Sequence, residues 1–141
     1  MKTIIALKGI EKCGKSTSIR KVYTILKKKY PDINILLEII SKSDVKAIII
    51  IGVVIIGIES QGDPTSRLPE SLKEFEGKGC HIILCATRTY GATVNAVISM
   101  ANEYTIEWVN KFRTKESVMD LENEKMANML VDKIEILLTA V

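Results

Sequence analysis

Gly9-Ile10-Glu11-Lys12-Cys13-Gly14-Lys15-Ser16-Thr17 fits the pattern G-x-x-x-x-G-K-S/T at every defined position. Before it, residues 2–8 are a short apolar run that reads as a buried strand. After it, residues 16–30 carry Ile19, Val22, Leu26 and Tyr30 at helical spacing, which predicts an amphipathic helix stopped by Pro31. The glycines let such a loop turn its backbone N–H groups inward, so several donors and the positive end of a helix face one anion together. Lys15 adds a point charge able to reach terminal phosphates. The Ser16 hydroxyl is a hard oxygen suited to Mg²⁺, with Thr17 beside it.

In motif and setting the chain resembles the P-loop NTPase superfamily. The resemblance implies that Gly9, Ile10, Glu11, Lys12, Cys13, Gly14, Lys15, Ser16 and Thr17 hold a nucleoside triphosphate, ATP in the first instance, together with Mg²⁺, and that Lys15 also serves catalysis. It further implies a carboxylate at a strand end, in the manner of the Walker B acid, orienting the metal shell or a water. Residues 53–58 predict a strand that delivers Glu59-Ser60-Gln61-Gly62-Asp63-Pro64 to the edge where ligands bind in open α/β sheets. Glu59 and Asp63 are the acids this spacing offers as metal ligands beside Ser16. Glu59 is the preferred catalytic acid, because a strand end is held more rigidly than a loop. Asp63 also suits an ordinary Gly-Asp-Pro turn, in which it would bond its own backbone.

The remaining elements follow in order. Residues 33–40 predict a second strand, and Ser41-Lys42-Ser43-Asp44 a polar turn. Residues 47–58 carry no charge but fall short of the ~20 residues a membrane helix needs. Their β-branched density and Gly52 predict two antiparallel strands, one ending near Ile51 and the next starting at Val53, with at least one central in the sheet. A helix over 69–76 presents Leu68, Leu72 and Phe75 to the core, and Gly77-Lys78-Gly79 closes it. A buried strand over 80–86 ends in Thr87-Arg88-Thr89-Tyr90-Gly91. Arg88 is the candidate for stabilising a transferring phosphoryl group or binding a second phosphate, with Thr87, Thr89 and Gly91 around the same anion. His81, at the opposite end of that strand, reads as structural. A helix over 92–103 should turn Val94, Val97, Ile98 and Ala101 inward, and a strand over 105–109 should place Trp108 in the core. A closing helix over 114–141 should cover the sheet with Val118, Leu121, Leu130, Ile134 and Leu137. Together these make one domain over 1–141, a three-layer α/β sandwich with a mostly parallel sheet and a β-hairpin insertion after the second strand.

A net charge of +3, with scattered basic residues, gives no indication of nucleic acid as a partner. Lys27, Lys28 and Lys29 complement the carbonyl end of the first helix instead. Cys13, Cys80 and Cys85 show no CxxC spacing and meet one histidine, so reduced thiols rather than a zinc site are expected. With no leader pattern and no membrane span expected, the location is read as cytoplasmic.

Three functions compete. The loop and its Ser16-Thr17 resemble those of small P-loop kinases, with Arg88 holding a second phosphate-bearing small molecule. An NTPase or switch is the alternative: Glu59-Ser60-Gln61-Gly62 loosely resembles D-x-x-G, and Asn110-Lys111-Phe112-Arg113 resembles N-K-x-D with arginine in place of the guanine-reading acid. The third class is a non-catalytic nucleotide-binding module acting through a protein partner.

Overall fold

The computed structural model describes residues 2–140. Along them run β1 (Thr3–Lys8), α1 (Lys15–Lys29), β2 (Asn34–Ile40), β3 (Val45–Ile51), β4 (Val54–Glu59), α2 (Leu68–Gly77), β5 (Ile82–Thr87), α3 (Ala92–Ile98), β6 (Thr105–Asn110) and α4 (Glu116–Ala140). The strands form a single sheet in the order β2-β3-β4-β5-β1-β6. β4, β5, β1 and β6 run parallel, while β3 is antiparallel to both β2 and β4.

Why β1 reads as a continuous apolar run is clear from its two faces. Ile5 and Leu7 pack with Ile19, Val22 and Leu26 of α1 and Ala127, Leu130 and Ile134 of α4. Ile4 and Ala6 pack with Leu68, Leu72 and Phe75 of α2 and Val97 of α3. A parallel strand covered on both sides has no solvent face to make polar. Helices on both faces of one sheet give an arrangement compatible with a three-layer sandwich. Phe75 reaches the sheet only because Gly57 carries no Cβ, which would stand 2.5 Å from the ring.

The sheet is mixed, with three parallel pairings and only β3 opposing the other strands, and the antiparallel hairpin expected after the second strand is built into it: β3 pairs with β2 and β4, and β4 is hydrogen-bonded to β5. Their turn, Gly52-Val53, has φ +63° at its first position, the conformation a tight hairpin demands there. The edge falls instead to β2, whose Ile35, Leu36, Ile39 and Ile40 are exposed. Several expectations need correction. α3 stops at Ile98, five residues before the expected end at Glu103. Three-residue turns, with Met100 N–H donating to Val97 O and Ala101 N–H to Ile98 O, lead the chain down so that the buried Tyr104 hydroxyl donates to Cys80 O at 2.7 Å. Thr93, Val97 and Met100 therefore face inward, and Ile98 and Ala101 face water.

In α4 the inward stripe is Asn123, Ala127, Leu130 and Ile134, with Leu137 half-buried; Val118 and Leu121 lie off it and are exposed. Val141, the expected end of this helix, lies outside the described residues. Trp108 is half-buried on edge strand β6, under the Lys8 ammonium at 5.2 Å from its ring. Among the described residues no helix is long and apolar enough to cross a membrane.

Candidate functional site

The loop from Gly9 to Gly14 leaves the C-terminal end of β1 and enters α1 at Lys15. It is pinned from both neighbouring strands. Gly9 N–H donates to Thr87 O of β5 at 3.1 Å, and Lys111, just past β6, donates its own N–H to Lys8 O at 2.7 Å. Lys111 is only 4% exposed, and its ammonium donates to Cys13 O at 2.9 Å and to Phe112 O at 3.3 Å. Lys12 at φ +60° and Gly14 at φ +103° turn the backbone through left-handed geometry. Gly14 caps α1 without a side-chain hydrogen bond, and no backbone carbonyl stands in hydrogen-bonding position for the N–H groups of Ile10 to Gly14. Unpartnered amides at a helix N-terminus make a local positive end.

Lys15 fills the loop's interior, its Nζ donating to Gly9 O at 2.5 Å and Ile10 O at 3.0 Å. Burial holds this ammonium below its ordinary pKa, partly opposed by the neighbouring Cys13. In front of it opens a cavity of about 410 Å³, bordered by Glu11, Lys12, Ser16, Asp44, Ser60 and Asp63 among others. Glu59 and Arg88 do not line it.

Glu59 is 0% exposed. Its carboxylate accepts from Arg67 Nε at 2.7 Å and Nη2 at 3.1 Å, from Ser71 Oγ at 2.6 Å and from Gln61 N–H at 3.1 Å. Arg67 and Ser71 come from the start of α2, so the acid expected at the metal is committed to fastening β4 to the next helix. Because β5 lies between β4 and β1, Glu59 also stands two strand spacings from the loop's own strand, roughly 10 Å across the sheet. Asp63 reaches the cavity rim because Gly62 crosses the end of β5: a Cβ there would stand 2.6 Å from the Ala86 carbonyl carbon. Asp63, 68% exposed, accepts from Arg88 Nη2 at 2.9 Å and Nε at 3.2 Å. Glu11 lies 4.0 Å from the same Nη2. The structure thus brings Arg88, Asp63 and Glu11 together at the rim, and Arg88 N–H donates to Thr93 Oγ1 of α3 at 2.9 Å.

Two residues enter the site that the motif reading had not assigned to it. Lys111 fastens the loop, and its signal was the Asn-Lys pair after a strand. Asp44 precedes β3, and because β3 is antiparallel its first residues lie at the same sheet edge as the end of β4. Ser16 Oγ lies 2.9 Å from Asp44 Oδ1 and 2.5 Å from Ser43 O, and Ser60 Oγ donates to Asp44 Oδ1 at 2.9 Å. These are hard oxygen donors, the kind Mg²⁺ prefers, so the residues around Ser16 fit that ion chemically. His81, at the far edge, accepts from Ile55 N–H at its Nδ1.

The chain matches no family model, and comparison with curated proteins and with solved structures likewise finds no match.

Proposed function

We propose that this chain is a P-loop protein that binds a nucleoside triphosphate, ATP with Mg²⁺, and transfers its terminal phosphoryl group to a second phosphate-bearing small molecule in the cytoplasm. One observation carries the reading: a helix-capping loop with unpartnered amides encloses a buried lysine ammonium that has only loop carbonyls to bond. An anion of several charges satisfies both at once. On binding, Lys15 exchanges Gly9 O and Ile10 O for terminal phosphate oxygens, while the loop amides hold the inner phosphates. Mg²⁺, when bound, neutralises charge on the phosphate oxygens. Arg88 leaves Asp63 for the acceptor or the transferring group, its planar fork suiting either. Glu59 stays with Arg67 and Ser71, fastening β4 to α2, and takes no part in binding or transfer.

The engaged states of Glu59 and Arg88 favour a second reading, a nucleotide-binding module that acts through a protein partner and turns over little. Single-turnover transfer from radiolabelled ATP to a panel of nucleoside monophosphates separates the two. Under the first reading Arg88→Ala lowers the rate on the order of 10²–10³-fold, and Arg88→Lys recovers little. A slow background equal in wild type and both variants would leave the module.

A further inference from the structure

We propose that Asp44 supplies the carboxylate of the metal shell at this site, beside the Ser16 hydroxyl; the inference rests on the nucleotide reading above. The argument begins with what the other two acids are doing. Glu59 has donors on both carboxylate oxygens and does not line the cavity. Asp63 has 68% of its side chain exposed and stands off Ser16, whose hydroxyl bonds Ser43 O and Asp44 Oδ1 instead. Asp44 faces the cavity, its Oδ1 2.9 Å from Ser16 Oγ.

That separation has a meaning for magnesium. With metal–oxygen distances of about 2.0–2.1 Å in an octahedron, two adjacent ligand oxygens stand about 3 Å apart. The Ser16 and Asp44 oxygens already have this spacing, and the hydroxyl can keep its proton on Ser43 O while both oxygens would serve as ligands. The carboxylate is also held in orientation. Ser60 Oγ donates to Oδ1 while accepting Val45 N–H at 2.8 Å, and Ser60 N–H donates to Val45 O at 3.0 Å. The turn before it is closed by Ser41 N–H on Asp44 O at 2.9 Å and Asp44 N–H on Ser41 Oγ at 3.1 Å. Arg20 of α1 holds the same turn through Lys42 O at 3.0 Å. A ligand oriented by its neighbours in this way is what a metal shell requires. Among the described residues no group of three or more His, Cys, Asp or Glu side chains could hold a metal alone, so the remaining positions fall to phosphate oxygens and water.

The position carries a second consequence. Without a cation, the Asp44 carboxylate faces the anion that Lys15 attracts and opposes it; with one, it helps to hold it. Asp44 thereby makes nucleotide affinity depend on the metal. Removing its charge should therefore act in opposite directions on the two forms of the ligand, which loss of a merely structural residue would not do.

The test is equilibrium binding of a fluorescent ATP analogue to the full chain, in EDTA and across Mg²⁺ and Mn²⁺ titrations, with bound Mn²⁺ followed by its paramagnetic resonance. Asp44→Asn should bind the analogue in EDTA at least as tightly as wild type, yet need about 10–100-fold more metal for half-maximal enhancement. Glu59→Gln should keep the wild-type metal requirement. Asp44→Cys should lose support from Mg²⁺ and regain it from Cd²⁺, since a thiolate prefers a soft ion; this gain cannot come from a misfolded protein. A wild-type metal requirement in Asp44→Asn, or its loss in Glu59→Gln alone, overturns the assignment and leaves the nucleotide reading standing. Absence of analogue binding by wild type in every condition overturns both.

Discussion

Replacing Glu59 by glutamine should destabilise this protein, and the structure sets the size. The wild-type carboxylate receives Arg67 Nε and Nη2, Ser71 Oγ and Gln61 N–H, with no exposure to water. Glutamine keeps the shape but offers one acceptor oxygen and an NH₂ group, so one arm of the guanidinium fork meets a donor. Breaking a buried ion pair costs about 3–5 kcal/mol. Arg67 keeps 25% of its side chain in water, which relieves part of the orphaned charge and places the expected loss near the low end, about 3 kcal/mol. At about 2–4 °C per kcal/mol for a chain near this size, the melting temperature should fall by about 6–12 °C. Urea denaturation with matched calorimetry measures both. Adding Arg67→Met to Glu59→Met should recover part of that variant's loss, because an apolar pair leaves no buried charge although Ser71 Oγ and Gln61 N–H stay without their acceptor. A loss no larger than one neutral hydrogen bond, about 1 kcal/mol, would refute the reasoning. So would a gain in stability, the sign expected of a carboxylate held bare for a metal.

Gly14→Ala should remove nucleotide binding and cost at least about 2 kcal/mol, since φ is +103° and the new Cβ would stand 2.1 Å from Asn123 Oδ1; wild-type stability by urea titration would contradict this. The Glu135 carboxyl is held below its ordinary value of 4.5 by hydrogen bonds from Lys29 and Tyr30. Its contribution is therefore complete above the unfolded value and lost as pH falls through the lower folded one. Glu135→Gln should accordingly lower stability at pH 7 and flatten the acid limb of the stability curve below pH 4.5, with little effect on binding.

How much of this was legible in the chain depends on the range of the interaction. The glycine loop, α1 and the buried strands follow from spacing within ten or fifteen residues, and they lie where the pattern puts them, to within a residue or two. Strand order does not, because nothing in residues 53–58 says that β5 will stand between β4 and β1. That single placement moves Glu59 away from the loop. The side chains that then occupy it, Arg67 and Ser71, carry no local sign of their role. Asp44 was read only as part of a polar turn, since its approach to Ser16 exists only because β3 runs antiparallel. In α4, Val118 and Leu121 looked inward because they are apolar. The stripe is set instead by Asn123, a polar residue packed against Gly14.

The central claim is that the glycine loop holds a nucleoside triphosphate through its amides and Lys15. Isothermal titration of wild type and Lys15→Ala with ATP and with AMP, each in Mg²⁺, tests it most directly. The account predicts one site in wild type, with ATP affinity falling about 10–100-fold in Lys15→Ala, the size of a charge-assisted bond, and AMP affinity nearly unchanged. Equal losses for both ligands, or no ATP binding by wild type, would contradict it.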